Sequence, residues 1–169
     1  MNGEWNMSDE IVATIRASEA RRYMGVGMLG SVGALVLYVA LSTPPSAGWL
    51  LFLLVVGGAT IWLAARMWQA TAFTIELTET ELRCSDGNVI ARIDDIENID
   101  RGFFAFKPSN GFLIRTKTPG SRIWQPGLYW RMGRRIGVGG VTPGSQSKAA
   151  SEILAAMVAM RSQGGDGRL

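Results

Sequence analysis

Asp94, Asp95, Glu97 and Asp100 stand close enough along the chain to hold a divalent cation between them. Consecutive carboxylates on an extended segment point to opposite faces, however, so the grouping reads as solvated acids. The chain contains no histidine, which removes the commonest general base, the His-containing triads and the His-ligated metal sites together. The single cysteine, Cys84, cannot form an intramolecular disulfide, in keeping with a reducing compartment. It falls in a strand-like stretch beside Arg83, where a small buried thiol is the ordinary outcome. No catalytic set emerges; the expectation is a non-enzyme without metal or cofactor.

Two glycine patterns invite a phosphate-binding reading. Gly25, Gly27 and Gly30 match the dinucleotide fingerprint in spacing, but no strand precedes them and they lie inside an apolar run. Small residues four apart suit helix packing better. Gly27 with Ser31, and Gly30 with Ala34, would let another helix approach, and Gly57 and Gly58 offer a second notch. Gly137, Gly139 and Gly140 form a tight turn before a helix, whose N-terminus could receive an anion.

The strongest candidate surface is basic and aromatic. Residues 76–100 carry eight acids against Arg83 and Arg92, whereas residues 101–135 carry eight bases and no acid, so the charges are sorted into halves. The halves could offset each other across a sheet, or the basic one could face anionic lipid heads, where each Lys or Arg contributes about 1 kcal/mol. Alternation places Arg115 and Lys117 on one strand face and Phe112 and Ile114 on the other, toward the core. Trp124, Tyr129, Trp130, Arg131, Arg134 and Arg135 add rings with polar tips and guanidinium groups that bridge phosphate or carboxylate. These eight residues are the expected lipid or partner surface. Nucleic acid is not an expected partner, because the net charge is only +3 and the domain is tied to a bilayer.

That tie comes from two apolar runs, residues 23–41 and 48–65, each long enough to cross the ~30 Å hydrocarbon core as a helix. The Pro44-Pro45 link between them predicts an antiparallel hairpin. Arg16, Arg21, Arg22 and Arg66 flank the hairpin while its link is uncharged, so both termini are expected in the cytoplasm. A cleaved signal peptide fits poorly, since a polar segment precedes the first run and a second run comes after it. Neither run has an ionisable residue in its middle, which counts against a transport path. Before the hairpin, Ser8, Asp9 and Glu10 read as a helix start, with Ile11, Val12 and Ile15 along one side.

After the hairpin the apolar period changes to two. Phe73, Ile75 and Leu77 alternate with Thr74, Glu76 and Thr78, and further strands are expected at 81–85, 89–93, 99–106, 112–117, 121–124 and 134–138. Thr142 and Pro143 then open a helix with Ala149, Ile153, Ala156, Met157 and Met160 as its apolar stripe.

About seven antiparallel strands capped by one C-terminal helix, with residues 90–99 in the position of a third strand and the stretch after it, resemble the pleckstrin-homology-like domains of bacterial membrane proteins. The resemblance implies an α+β membrane protein of the bacterial inner membrane: a transmembrane hairpin, then a pleckstrin-homology-like barrel or sandwich. The expected division is an N-terminal cytoplasmic segment over 1–22, partly helical, the hairpin over 23–67, the domain over 71–161 and a flexible tail over 162–169. It also implies non-catalytic binding or scaffolding that holds a protein or anionic headgroup at the membrane and aids assembly of a complex. The alternative is an accessory subunit with the barrel as a structural cap. Membrane lipids and a membrane protein or second copy are the expected partners.

Overall fold

The computed structural model describes residues 10–43, 45–101 and 108–165. Pro44, the helix start expected at Ser8 and Asp9, and the part of the 99–106 strand beyond Arg101 lie outside the described residues. Two helices, α1 (Glu19–Ser42) and α2 (Ala47–Ala70), form the hairpin, each about 36 Å long at 24 residues. Both are long and apolar enough to cross a membrane, and only 11% of each apolar window is buried.

The hairpin does not precede the sheet domain; it is inserted into it. Ile11–Arg16 is a strand, β1, not the helix expected from its sequence. Four β-branched residues in six favour extended backbone, and Ile15 points inward while Thr14 and Arg16 point out. β1 pairs antiparallel with β2 (Thr74–Thr78) in the register Ile15↔Ile75 and Arg16↔Thr74, so the chain leaves one strand, makes both helices and returns to the neighbouring strand. β3 (Glu81–Cys84) and β4 (Val89–Arg92) complete a four-stranded sheet in the order β1-β2-β3-β4. The Asp86-Gly87-Asn88 turn between them forms as expected, with the Asp86 carboxylate accepting from the Asn88 amide at 3.0 Å.

A second sheet holds β5 (Ile96–Asp100), β6 (Phe112–Gln125) and β7 (Tyr129–Val138). The strands expected at 112–117 and 121–124 are one strand. Pro119 and Gly120 do not end it, because they fall where the β6–β7 register slips between Arg115 and Gly120, and a proline is tolerated at such a bulge. Among the described residues no strand pairing joins the two sheets, so the barrel is not closed. They share one core nonetheless, with Ile75 and Leu82 from the first sheet, Phe112, Ile114 and Ile136 from the second, and Leu154 from helix α3 (Gly144–Gly165).

α3 packs by a face that overlaps only part of the one expected. Ser147, Ala150, Ser151 and Leu154 are buried; of the expected stripe Ile153 and Met157 pack against the core, whereas Ala149, Ala156 and Met160 are exposed. Both sets have helical spacing; small Ser and Ala let α3 sit close to the sheets, and an apolar pattern alone cannot select between adjacent stripes. The helix runs on through Gly165, over part of the expected tail.

The hairpin is fastened at its base. The Ser18 amide donates to Val141 O at 2.9 Å, Arg21 to Thr142 O at 2.9 Å, and Arg22 to Trp68 O at 2.9 Å. Arg22 also lies 3.9 Å over the Trp68 ring, which leans against Tyr23 with centroids 5.5 Å apart.

Candidate functional site

The outer face of the three-stranded sheet gathers most of the candidate surface. Phe112, Ile114 and Thr116 of β6 are buried, so Arg115 and Lys117 project outward as the alternation required. Cross-strand register sets Arg115 opposite Arg135 and Trp124 opposite Trp130. Two clefts lie side by side on this face. One, of about 660 Å³, is lined by Asn98, Asp100, Leu113, Arg115, Trp130, Met132 and Arg135. The other, of about 540 Å³, is lined by Arg122, Ile123, Trp124, Trp130 and Met132. Trp130 and Met132 belong to both. The Trp130 indole lies over Gly137, where a Cβ would have no room. Trp124 stacks at 6.3 Å on Trp62 of α2, so the aromatic cleft abuts the hairpin.

One carboxylate of the acidic half engages two of the bases, and backbone carbonyls hold two more. Arg134 donates to Glu97 at 2.7 Å and to Thr116 O at 2.8 Å, and Arg115 stands 3.5 Å from the same Glu97 carboxylate. Lys117 donates to Asp94 O at 2.8 Å, and Arg131 donates inward to Ile90 O at 3.0 Å. Arg134, Lys117 and Arg131 are therefore held on the fold, and Arg135 is the candidate cation left facing outward. Sequence reading missed Arg122, Ile123 and Met132. The strand alternation of 121–124 and the apolar Met132 between two arginine stretches were the available signals.

Tyr129 leaves the expected surface altogether. It is 1% exposed and its hydroxyl is buried without a hydrogen-bond partner. The backbone turn at Gly127 (φ +85°) points the Leu128 and Tyr129 side chains into the core beside Cys84. Burial, with the nearby Cys84 and Asp86, pushes the Tyr129 phenol up beyond its ordinary range. Burial, opposed in part by a backbone hydrogen bond, pushes the Cys84 thiol from 9.0 to about 11. Burial works against charge on Asp86 as well, but hydrogen bonds from the Asn88 amide and side chain outweigh it and hold the carboxyl below its usual value. Raised acids are neutral in the fold, so their stabilisation is intact below pH 9 and is lost as pH rises through about 11. Thermal stability should therefore hold to about pH 9 and then decline, less steeply in Cys84→Ala. Cys84 should also resist alkylation at neutral pH until denaturant is added. Rapid labelling of the native thiol would contradict the burial.

The acids that could have bound a cation are engaged elsewhere. Asp95 accepts from the Thr118 amide at 3.0 Å and hydroxyl at 2.8 Å, Asp94 pairs with Arg161, and Glu97 serves the two arginines. Among the described residues no three acids, cysteines or histidines converge. The amides of the glycine turn itself are spent within the fold. Gly139 N donates to Leu128 O, Gly140 N to Ser109 O and Val141 N to Gly127 O, all within 3.0 Å. Gly140 (φ +139°) is required there, since a Cβ would lie 2.6 Å from Gly127 O.

The hairpin seam uses some of the expected small residues and not others. A Cβ on Gly57 would lie 2.7 Å from Leu37, and one on Gly33 would lie 2.8 Å from Ile61 and 3.2 Å from Gly57 O. Nothing lies within 4 Å of Gly27, Gly30 or Gly58, and Ser31 and Ala34 are exposed on the outward side of α1. The two helices thus meet at Gly33 and Gly57, and the Gly27, Gly30, Ser31 and Ala34 stripe is left uncovered.

Compared with known proteins, the chain matches no family model, no curated protein and no solved structure.

Proposed function

We propose that this chain is a membrane-anchored, non-catalytic binding or scaffolding protein. Its hairpin crosses the bacterial inner membrane, and its sheet domain works at the cytoplasmic surface. It holds a protein partner or anionic headgroup there and aids assembly of a membrane complex. The observation that carries this reading is the joining of two almost wholly uncovered apolar helices to one small sheet through adjacent strands. A core helix of a soluble domain would be mostly buried, and uncovered apolar surface on this scale is stable only in lipid. Pairing of β1 with β2 keeps both ends of the hairpin on one side, which agrees with the arginine flanks. The aromatic residues fit too. Trp49 and Phe52 stack near the link, and Tyr23, Trp62 and Trp68 lie toward the base, at the two levels where rings settle in a headgroup layer.

The pleckstrin-homology-like resemblance rests on about seven strands and a helix after the hairpin; the described residues have six strands and a helix there, and a seventh strand before it. That likeness supports binding over catalysis. One observation favours the second reading, an accessory subunit of a larger complex: the uncovered small-residue face of α1 is shaped for close approach of another helix.

Topology tests the reading directly. A cysteine at Ser46 should react with an impermeant thiol reagent from outside spheroplasts, and one at Ser109 only after lysis; both positions are exposed, and native Cys84 is buried. Labelling of both from one side of intact spheroplasts would sink the hairpin model.

A further inference from the structure

We propose that the outer face of the three-stranded sheet lies against the same bilayer that the helices cross. Trp124, Trp130 and Met132 sit in its interfacial layer, and Arg115, Arg122 and Arg135 meet the phosphates of anionic phospholipids. The proposal rests on the membrane-spanning reading above and adds to it the ligand and the surface.

Continuity with the hairpin is the first ground. Trp62 stands one turn before Arg66, whose guanidinium lies 5.9 Å from the ring, so this pair marks the headgroup level on α2. Trp124 stacks on that same Trp62 ring, and the sheet face therefore begins where the lipid-covered surface of α2 ends. The second ground is exposure. Trp124 is 47% and Met132 52% exposed; Met132 and Trp130 line both clefts, and Trp124 extends the apolar lining of the second.

Charge is the third. Arg115 and Arg135 are direct cross-strand neighbours, and like charges so placed repel unless an anion lies between them. Arg115 takes the longer contact to Glu97, 3.5 Å against 2.7 Å for Arg134, and among the described residues Arg135 has no hydrogen-bond or ion-pair partner. Asn98 and Asp100 line the same cleft from β5, with Asn98 the register partner of Arg115, and Arg135 lines it from β7 on the other side of β6. A phosphodiester head over Arg115 and Arg135 with its glycerol and acyl region along Trp130 and Met132 satisfies both chemistries at once.

The test uses the full-length protein, Cys84→Ala, reconstituted in vesicles of phosphatidylcholine with phosphatidylglycerol. Spin labels are placed singly at Met132→Cys, at Val55→Cys on the exposed flank of α2 and at Ser162→Cys on the exposed flank of α3. Collision with dissolved oxygen reports lipid, and collision with a water-soluble nickel chelate reports water. The Met132 label should resemble Val55, with nickel access several-fold below that at Ser162. In phosphatidylcholine alone, or at high salt, its nickel access should rise. Arg115→Gln with Arg135→Gln should lower the docked-to-undocked ratio by about thirtyfold without loss of the folded signal. A Met132 label as wet as Ser162, beside a lipid-facing Val55, overturns this proposal and leaves the spanning reading intact. A wet Val55 overturns both. Shielding of Met132 in native membranes but not in lipid vesicles would assign the face to a protein and overturn the lipid assignment.

Discussion

A chain that begins at Thr71 is expected not to fold as a cooperative unit, although it would contain every strand after the hairpin. β1 supplies Ile15, 1% exposed in the core, and pairs with β2. It also gives the Arg16 amide to Gln146 of α3 at 3.0 Å. Truncating Ile15 alone to Ala should cost about 2–5 kcal/mol. Losing the whole strand opens the edge of β2 and uncovers its neighbours as well, a loss comparable with the ~5–15 kcal/mol that holds a domain together. The remedy is specific. Arg16 and Thr74 are register partners, so residues 10–16 joined to 74 by a short hairpin loop in place of both helices should restore a folded, soluble domain. Circular dichroism melts of the two proteins decide the matter: a full cooperative transition in the chain from Thr71 would show that β1 is dispensable.

The second large effect is expected at the crossing of α1 and α2. Gly57→Leu drives a side chain into Leu37 and Val36, with a Cβ alone at 2.7 and 3.3 Å, and Gly33→Leu meets Ile61 at 2.8 Å. In a tight seam such overpacking costs about 1–3 kcal/mol or more, and it separates the backbones without reducing the hydrophobicity that drives insertion. Gly30→Leu, with nothing within 4 Å, should leave the hairpin untouched and disturb only association with another helix. Thermal stability in detergent, together with crosslinking between cysteines placed on α1 and α2, separates these outcomes. Equal stability of Gly57→Leu and Gly30→Leu would remove Gly57 from the seam.

What could be read ahead of the structure came from periodicity. The apolar runs announced two long helices by length alone, and alternation in 73–78 and 112–117 announced strands and their inward faces. Ile11, Val12 and Ile15 escaped because their spacing suits a helix stripe, while the partner that makes them a strand lies beyond both helices. The Glu97 clamp on Arg115 and Arg134 escaped for a related reason: it depends on the β5–β6 register, which local sequence does not specify. Tyr129 was misplaced because a run mixing rings and arginines looks uniformly exposed, whereas the Gly127 turn and pleat decide each side chain separately. The clefts around Trp130 were half legible, since Trp124, Trp130, Arg115 and Arg135 were singled out but Met132, which lines both, and Arg122 and Ile123, which line one, were not.

The insertion of both helices between paired strands also sets an order of biogenesis. β1 leaves the ribosome first and has no partner until α1, the link and α2 have been made. If the hairpin crosses a bilayer, β2 emerges beside β1 only when the second helix has returned to the side the first one left. A hairpin inserted halfway would strand the two on opposite faces and leave Ile75 and Leu77 without their cover, open to proteases. In a bilayer, closure of this sheet would therefore follow only a completed insertion of the hairpin.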